Sequence, residues 1–205
     1  MKKSVLKAIL IASSLFFGSI AAHAEYPISF SGQIGYASPQ GGFFKDAAGE
    51  KMSKFGLGLD FDVLYHLEQF DNRLGVGITY NTSILFGSDM DNADIGLYGL
   101  SLYGVKGHYR FFNSVISPYG ALSLGLSQFS TPEVTMMDGG HETVVAESKS
   151  AFGFGIRPEI GVEFGAFVMS VGYTIPMKYK IEGVSETAGC WQINLGARIN
   201  LFDRN

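Results

Sequence analysis

Lys54 to Leu67 reads KFGLGLDFDVLYHL, and its alternation decides the fold. The odd positions Phe55, Leu57, Leu59, Phe61, Val63, Tyr65 and Leu67 are all large and apolar. The even positions are Lys54, Gly56, Gly58, Asp60, Asp62, Leu64 and His66, with one apolar exception. A period of two means a β-strand with one apolar and one polar face. The polar face mixes bare glycine with carboxylates. That mixture is uncommon on the outward face of a soluble sheet and ordinary in the lumen of a membrane barrel.

The same pattern recurs on both sides of this stretch. Pro27 to Ser38 places Ile28, Phe30, Ile34 and Tyr36 on one face, and Arg73 to Phe86 places Leu74, Val76, Ile78 and Tyr80. Pro118 to Phe129, Ala151 to Phe164, Phe167 to Ile181 and a last strand through Trp191 and Leu201 follow the rule. Ile95 to Phe111 is strand-like but changes phase. Tyr98, Leu100 and Leu102 favour one face, Tyr103, Val105 and Tyr109 the other, which predicts a β-bulge near Leu102. The eight strands are joined alternately by long and short connections. The long ones are 39–53, 87–94, 131–148 and 182–189. The fold class is therefore all-β, an eight-stranded antiparallel up-and-down transmembrane β-barrel, with both chain ends on the side of the short turns. Pro158 and Pro176 fall inside strands and predict local bulges. Tyr36, Phe55, Phe86, Phe152, Tyr179 and Trp191 fall where an outer aromatic girdle belongs. Phe30, Tyr65, Tyr109, Phe164, Phe167 and Phe202 fall at the inner one.

The chain opens MKKSVLKAILIASSLFFGSIAAHA. Lys2, Lys3 and Lys7 precede an apolar run from Ala8 to Ile20, and Ala22-His23-Ala24 is an A-x-A cleavage site. Residues 1–24 thus read as a cleaved signal peptide and residues 25–205 as one barrel domain. Removing the three lysines leaves 12 basic against 19 acidic residues, a net charge of −7. An acidic exported chain is a poor nucleic-acid binder, and no nucleic acid is expected as a partner. The single Cys190 excludes an internal disulfide. A soluble eight-stranded barrel would turn the apolar set inward, but so many aromatic rings would overfill an interior that side chains only just fill.

In the last strand, Asn194-Leu195-Gly196-Ala197-Arg198-Ile199-Asn200-Leu201 resembles the C-terminal β-signal read by the outer-membrane assembly machinery. Asn194, Gly196, Ile199 and Leu201 match its polar, glycine and paired hydrophobic positions. Phe202-Asp203-Arg204-Asn205 continues past the aromatic end usual in that pattern. With the signal peptide and eight strands, the chain resembles the small OmpA/OmpX/opacity-type outer-membrane barrels. The resemblance implies the Gram-negative outer membrane, with outer-membrane lipid or lipopolysaccharide and the assembly machinery as partners. It also implies a host or surface ligand through loops 39–53 and 130–149. Such barrels host adhesins, structural proteins, narrow channels and lipid-modifying enzymes.

The inward set contains Asp60, Asp62, Lys106, Arg157, Glu159, Glu163 and Arg198. Buried charges have to be paired, so these predict a salt-bridge network plugging the lumen, with an ion path or a catalytic Asp60–Asp62 pair as the rival. Asp89-Met90-Asp91-Asn92-Ala93-Asp94 clusters hard oxygen ligands but lacks the glycine and distal glutamate of an EF-hand loop, and reads as a solvated acidic loop. The histidines at 66, 108 and 141 lack the H-x-S pairing that the lipid A deacylases of this architecture carry. His141 with Ser130 or Ser148 and Asp138 has no specific spacing. No cofactor, metal or catalytic residue is expected. The reading is a non-enzymatic outer-membrane barrel with a charge-plugged lumen, acting through exposed loops or in envelope integrity. A narrow porin-like channel and a lipid A-modifying enzyme are the alternatives.

Overall fold

The structure is a computed structural model and describes residues 27–45, 49–87, 93–138 and 141–201, with side chains for all of these except 93–94, 137–138 and 141–142. The expected signal peptide, most of the acidic loop at 89–94, Phe202, and the side chains of Asp138 and His141 lie outside what is described.

Eight strands close into a barrel: β1 (Ile28–Gln40), β2 (Ser53–Leu67), β3 (Leu74–Gly87), β5 (Leu97–Arg110), β6 (Ile116–Ser130), β9 (Ser150–Phe164), β10 (Phe167–Ile181) and β11 (Val184–Asn200). Each pairs antiparallel with its neighbour, and β1 closes on β11 from Ser29↔Asn200 to Gln40↔Gly189. Closure leaves no free edge, the condition for a sheet that stands in lipid. The wall alternates as the sequence demands. Phe61, Ile78, Val105, Ile160 and Leu195 stand outside, whereas Asp60, Thr79, Lys106, Glu159 and Asn194 are buried within. In the expected girdles Tyr36, Phe55, Phe86, Phe152 and Trp191 are exposed at the loop end, and Phe30, Tyr65, Phe164 and Phe167 at the turn end.

Four features differ from the sequence reading. First, the long connections carry structure of their own. β4 (Ala93–Ile95), β7 (Val134–Asp138) and β8 (His141–Ala146) form a three-stranded sheet in the order β4-β7-β8 at the loop end. Val134, Thr135, Thr143, Val144 and Val145 are β-branched, and this favours strands even where Pro132 and the glycines suggest a loop. Second, residues 182–189 are no loop. Glu182 and Gly183 alone make the turn, both at positive φ (50° and 88°), and β11 starts at Val184. Two left-handed residues match the twist of a tight hairpin. The missing alternation there reflects exposed, water-facing strand rather than coil.

Third, β5 has no bulge. Its register with β3 is unbroken from Leu74↔Tyr109 to Phe86↔Leu97. Tyr98, Leu100 and Leu102 are buried in the lumen, in phase with Lys106, His108 and Arg110. The phase seemed to change because the outer half of the lumen is itself apolar. Fourth, the two prolines act differently. At Pro176 the β10–β11 register shifts between Thr174 and Met177, and the shift sends Tyr179 inward instead of into the girdle. Pro158 causes no bulge, since β6 and β9 stay in register through Leu122↔Pro158. The β9–β10 ladder ends beside it, running only from Phe167↔Phe164 to Gly172↔Glu159. Beyond that point Tyr179 covers the gap from inside. It lies against Gly153, and its hydroxyl donates to Ser127 Oγ at 2.7 Å. Lys149 and Glu182 form an ion pair across the top.

Phe61 sits mid-strand and is half exposed on the outer face. Phe61→Lys should block assembly, because a lysine at the midplane of the lipid face costs about 2–4 kcal/mol. Gly58→Ala faces the lumen, where its methyl meets the ends of Asn194 and Gln192 at 3.0–3.2 Å and needs only a small side-chain adjustment. The folded, heat-modifiable gel band should vanish for the first variant and persist for the second. Equal yields of folded band would mean that the faces are inverted.

Candidate functional site: the layered lumen

The lumen is filled in layers, each following from which residues alternate inward at that height. At the loop end a short 3-10 turn, Gly42–Phe44, folds Phe43 and Phe44 over the mouth. Phe44 packs edge-on against Phe129 and Tyr98, with ring centroids 5.7 and 5.3 Å apart. Leu85, Leu100, Tyr179, Ala188 and Cys190 complete this apolar layer. Cys190 faces inward and is fully buried. Trp191 is the exposed neighbour.

Below it lies a layer of amides. Gln192 Oε1 accepts from Asn81 Nδ2 at 2.6 Å, and its Nε2 donates to Ser83 Oγ at 2.7 Å and to the Thr82 carbonyl at 3.2 Å. Asn194 Nδ2 donates to the same Gln192 oxygen at 3.3 Å. A primary amide both donates and accepts, so one glutamine can join β3 to β11 across the interior.

The charged residues come next, and all seven named from the sequence are buried here. Lys106 Nζ lies 2.8 Å from Asp62 Oδ2, 3.1 Å from Glu159 Oε1 and 3.9 Å from Asp60 Oδ1. Arg157 Nη1 reaches Asp60 Oδ2 at 2.8 Å and also pairs with Glu159, while its Nη2 donates upward to Gln192 at 3.1 Å. Gly172 on β10 makes room for this guanidinium, because a Cβ there would collide with it. Arg198 Nη1 reaches Glu163 Oε1 at 2.6 Å, and Nη2 lies 3.4 Å from Asp62 Oδ2. The Tyr119 hydroxyl donates to Glu159 Oε1 at 2.9 Å, and its ring lies 5.7 Å beneath the Arg198 guanidinium. Asp60, Asp62 and Glu159 are the joints of the network, each shared by two cations. Three cations and four carboxylates from β2, β5, β9 and β11 thus tie opposite walls together.

The turn end adds buried residues that are not among the seven charges named from the sequence: His66, His108, Arg110, Ser29 and Tyr119. His108 and Arg110 continue the inward phase of Lys106 along β5. His66 Nδ1 lies 3.0 Å from the Asn72 carbonyl, which only accepts, so Nδ1 carries the proton and Nε2 accepts from Ser29 Oγ at 2.8 Å. This serine–histidine–carbonyl chain has the connectivity of an activated nucleophile. Ser29 and His66 are both at 0% exposure, so no substrate carbonyl reaches the hydroxyl, and the chain acts as a clamp between β1, β2 and the Asn72 turn. Arg110 Nη2 donates to the same Asn72 carbonyl at 2.7 Å. Among the described residues no group of histidine, cysteine and carboxylate is arranged to hold a metal ion.

Of the four residues resembling an assembly signal, Asn194 faces the lumen and Gly196 pairs with Gln33 and Val168. Ile199 lies opposite Phe30, and the Leu201 amide donates to the Ile28 carbonyl at 2.8 Å. All four lie on or just beyond β11, at the seam where the last strand meets the first.

No protein-family model matches the chain, and no curated protein matches it in sequence. Solved structures match in fold. The chain is similar to the crystal structure of Ail, the attachment invasion locus protein of Yersinia pestis, with a TM-score of 0.52 and 19% identity over 85% of this chain and 99% of that one. Ail in complex with the heparin analogue sucrose octasulfate gives 0.51 and 21%, over 83% and 98%. Neisserial surface protein A gives 0.52 and 16%, over 85% and 97%. All are small eight-stranded outer-membrane barrels, and that is the fold of this chain.

Removing one member of a buried ion pair costs about 3–5 kcal/mol, because the remaining charge is left unpaired. Arg157→Met should therefore lower sharply the temperature at which the folded band disappears. A second change at Asp60 should restore much of the loss. Without Arg157, Asp60 keeps Lys106 at 3.9 Å and a long hydrogen bond from Asn81 Nδ2 at 3.5 Å, whereas Glu159 still has Lys106 at 3.1 Å and the Tyr119 hydroxyl at 2.9 Å. Asp60→Leu is the better rescue and Glu159→Leu the poorer one; the reverse order would mean that Arg157 serves Glu159 alone.

Proposed function

We propose that this is a non-enzymatic protein of the Gram-negative outer membrane, exported by residues 1–24, whose closed lumen serves as a rigid pillar. It acts through its loop end, on a surface ligand or in holding the envelope together. The observation that carries this reading is double closure. An apolar layer around Phe44 and Phe129 lies over a charged layer around Lys106, Arg157 and Arg198. Either layer alone spans the interior of eight strands, which side chains only just fill. A continuous water path has to break both.

What remains available for interaction is the loop end. The β4-β7-β8 sheet presents Met136, Val144 and Val145 to solvent, and the barrel beneath holds it in place. Ail, similar in fold, is described as an attachment invasion protein and is known in complex with a heparin analogue, which supports a role in surface contact. Loops 39–53 and 130–149 are the segments that would meet such a ligand. Asn194, Gly196, Ile199 and Leu201 serve assembly, placed as they are on or just beyond the strand that closes the barrel. The exposed apolar band faces outer-membrane lipid.

Planar-bilayer recording tests the closure. Wild-type protein should give no steady ohmic conductance. Phe44→Ala, which hollows only the outer layer, should stay silent as well, because the charged layer below is intact. Reproducible single-channel steps in wild type would overturn the pillar and establish a channel. A lipid A mass shift that depends on the protein would establish an enzyme.

A further inference from the structure

Between its aromatic girdles a membrane barrel turns an apolar wall to lipid. On β1, β2, β9, β10 and β11 every outward position between the girdles is apolar or glycine. The remaining three strands, β3, β5 and β6, are neighbours, and each carries one non-aromatic polar residue on that face: Thr82, Ser101 and Gln128. Their outward phase follows from the flanking residues Asn81, Ser83, Leu100, Leu102, Ser127 and Phe129, all buried in the lumen. The three interruptions coincide. Thr82 pairs with Ser101 and Ser101 with Gln128, so the polar side chains form a single ladder row. In the next outward row toward the turn end Tyr80 pairs with Tyr103, their rings stacked 4.9 Å apart.

Part of this row lies well inside the apolar band. Thr82 is four residues below Phe86, and Ser101 four below Leu97, the partner of Phe86. At ~3.3 Å per residue on strands tilted by about 40°, both stand about 10 Å below the outer girdle. Gln128 pairs with Phe152 of that girdle, so the row rises to the upper margin of the band. Thr82 Oγ1 and Ser101 Oγ bond to each other at 2.8 Å, which uses one of their two hydroxyl protons. Among the described residues neither the second proton nor the Gln128 amide has a partner. Ser101 and Gln128 stay partly exposed. Acyl chains offer no hydrogen bonds, so the row turns unmet donors and acceptors toward lipid.

A closed barrel has no free strand edge, so a partner has to meet this wall side chain to side chain. It has to be apolar over most of its height and polar at this one level. A symmetric pair inserted the same way in one membrane has its twofold axis along the membrane normal, so every height of the wall meets itself. A second copy therefore brings a polar row opposite this one. A primary amide both donates and accepts, so Gln128 complements its own counterpart as well as a serine hydroxyl. The outward face of β5 is also shallow. A Cβ at Gly107 would meet nothing within 4 Å, and one at Gly99 would meet only Ser130. Small residues let membrane-embedded walls approach closely.

We propose that the β3-β5-β6 wall is the face through which two copies of this barrel pair side by side in the membrane. Ser101 and Gln128 exchange hydrogen bonds across the axis, and the stacked Tyr80 and Tyr103 rings pack against their counterparts beneath. β4 lies in the β3–β5 connection, and β7 and β8 lie in the β6–β9 connection, so the β4-β7-β8 sheet springs from this same wall. Pairing here sets two such sheets next to each other, and a ligand with repeated units engages both at once. The inference rests on the outer-membrane placement proposed above and goes beyond it by naming a second copy of the chain as partner.

The test uses the full mature barrel refolded in phospholipid vesicles at low protein density. Val105 on β5 and Ile193 on β11 are both exposed to lipid and stand on opposite walls. Cys190 is buried in the lumen, so the wild type serves as the blank. Under copper-phenanthroline oxidation, Val105→Cys should give about tenfold more disulfide-linked dimer than Ile193→Cys, the scale of two hydrogen bonds between membrane-embedded side chains. Adding Thr82→Val, Ser101→Ala and Gln128→Leu to Val105→Cys should lower its yield to that of Ile193→Cys. The folded band of that variant should melt at the temperature of Val105→Cys alone. Equal yields from the two walls, or an undiminished yield after the three changes, overturn the interface. Reaction of Ser101→Cys with a water-soluble maleimide in intact vesicles places the row in water and overturns it too. Cross-linking of Val105→Cys in whole outer membranes to a different protein alone overturns the second copy as partner. A wild type that gives no folded band in lipid overturns the membrane placement and this inference together, whereas folding without cross-linking specific to β5 overturns the inference alone.

Discussion

Hydrocarbon offers no hydrogen bonds, so every backbone N–H and C=O at membrane depth has to find its partner within the chain. A sheet meets that condition only by closing on itself. Closure here depends on the last strand finding the first, from Ser29↔Asn200 upward. The wall then has two faces and no edges. Lipid accepts only apolar side chains on one of them, so the polar side chains of these strands gather on the other.

That concentration is what makes the lumen a network. Asp60, Asp62, Glu159 and Glu163 cannot stay ionised in a narrow interior unless cations reach them from other strands. Lys106, Arg157 and Arg198 are long enough to cross from β5, β9 and β11, and glycine at position 172 clears the path for one of them. Replacing such a network with apolar side chains would often cost little stability, so its presence is better explained by specificity of register. A strand slipped by one residue turns its charges into lipid. The charged layer thus favours one arrangement of the wall.

The outer half of the lumen is built on the opposite chemistry. Once the amides of Gln192, Asn81 and Asn194 have capped the charged layer, nothing above them requires polarity. Phe44, Tyr98, Phe129 and Tyr179 fill that space. Tyr179 is also the side chain that covers the short β9–β10 ladder from inside, so the register shift at Pro176 serves the wall as well as the core.

The strand count, the two faces, the membrane-facing belt and the seven charged lumen residues were all legible in the sequence. Each follows from a period of two, a local property that survives whatever the strands pair with. Illegible were the inward course of Tyr98, Leu100 and Leu102, the turn at Glu182-Gly183, the β4-β7-β8 sheet and the Ser29–His66 clamp. Alternation says which residues share a face but not whether that face meets lipid, lumen or water at a given height. An apolar residue is at home in the first two of these. Nor does it reveal a bulge, which moves Tyr179 across the wall without altering a letter. Those positions are decided by pairing between strands far apart in the chain, where a shift of one residue exchanges inside for outside.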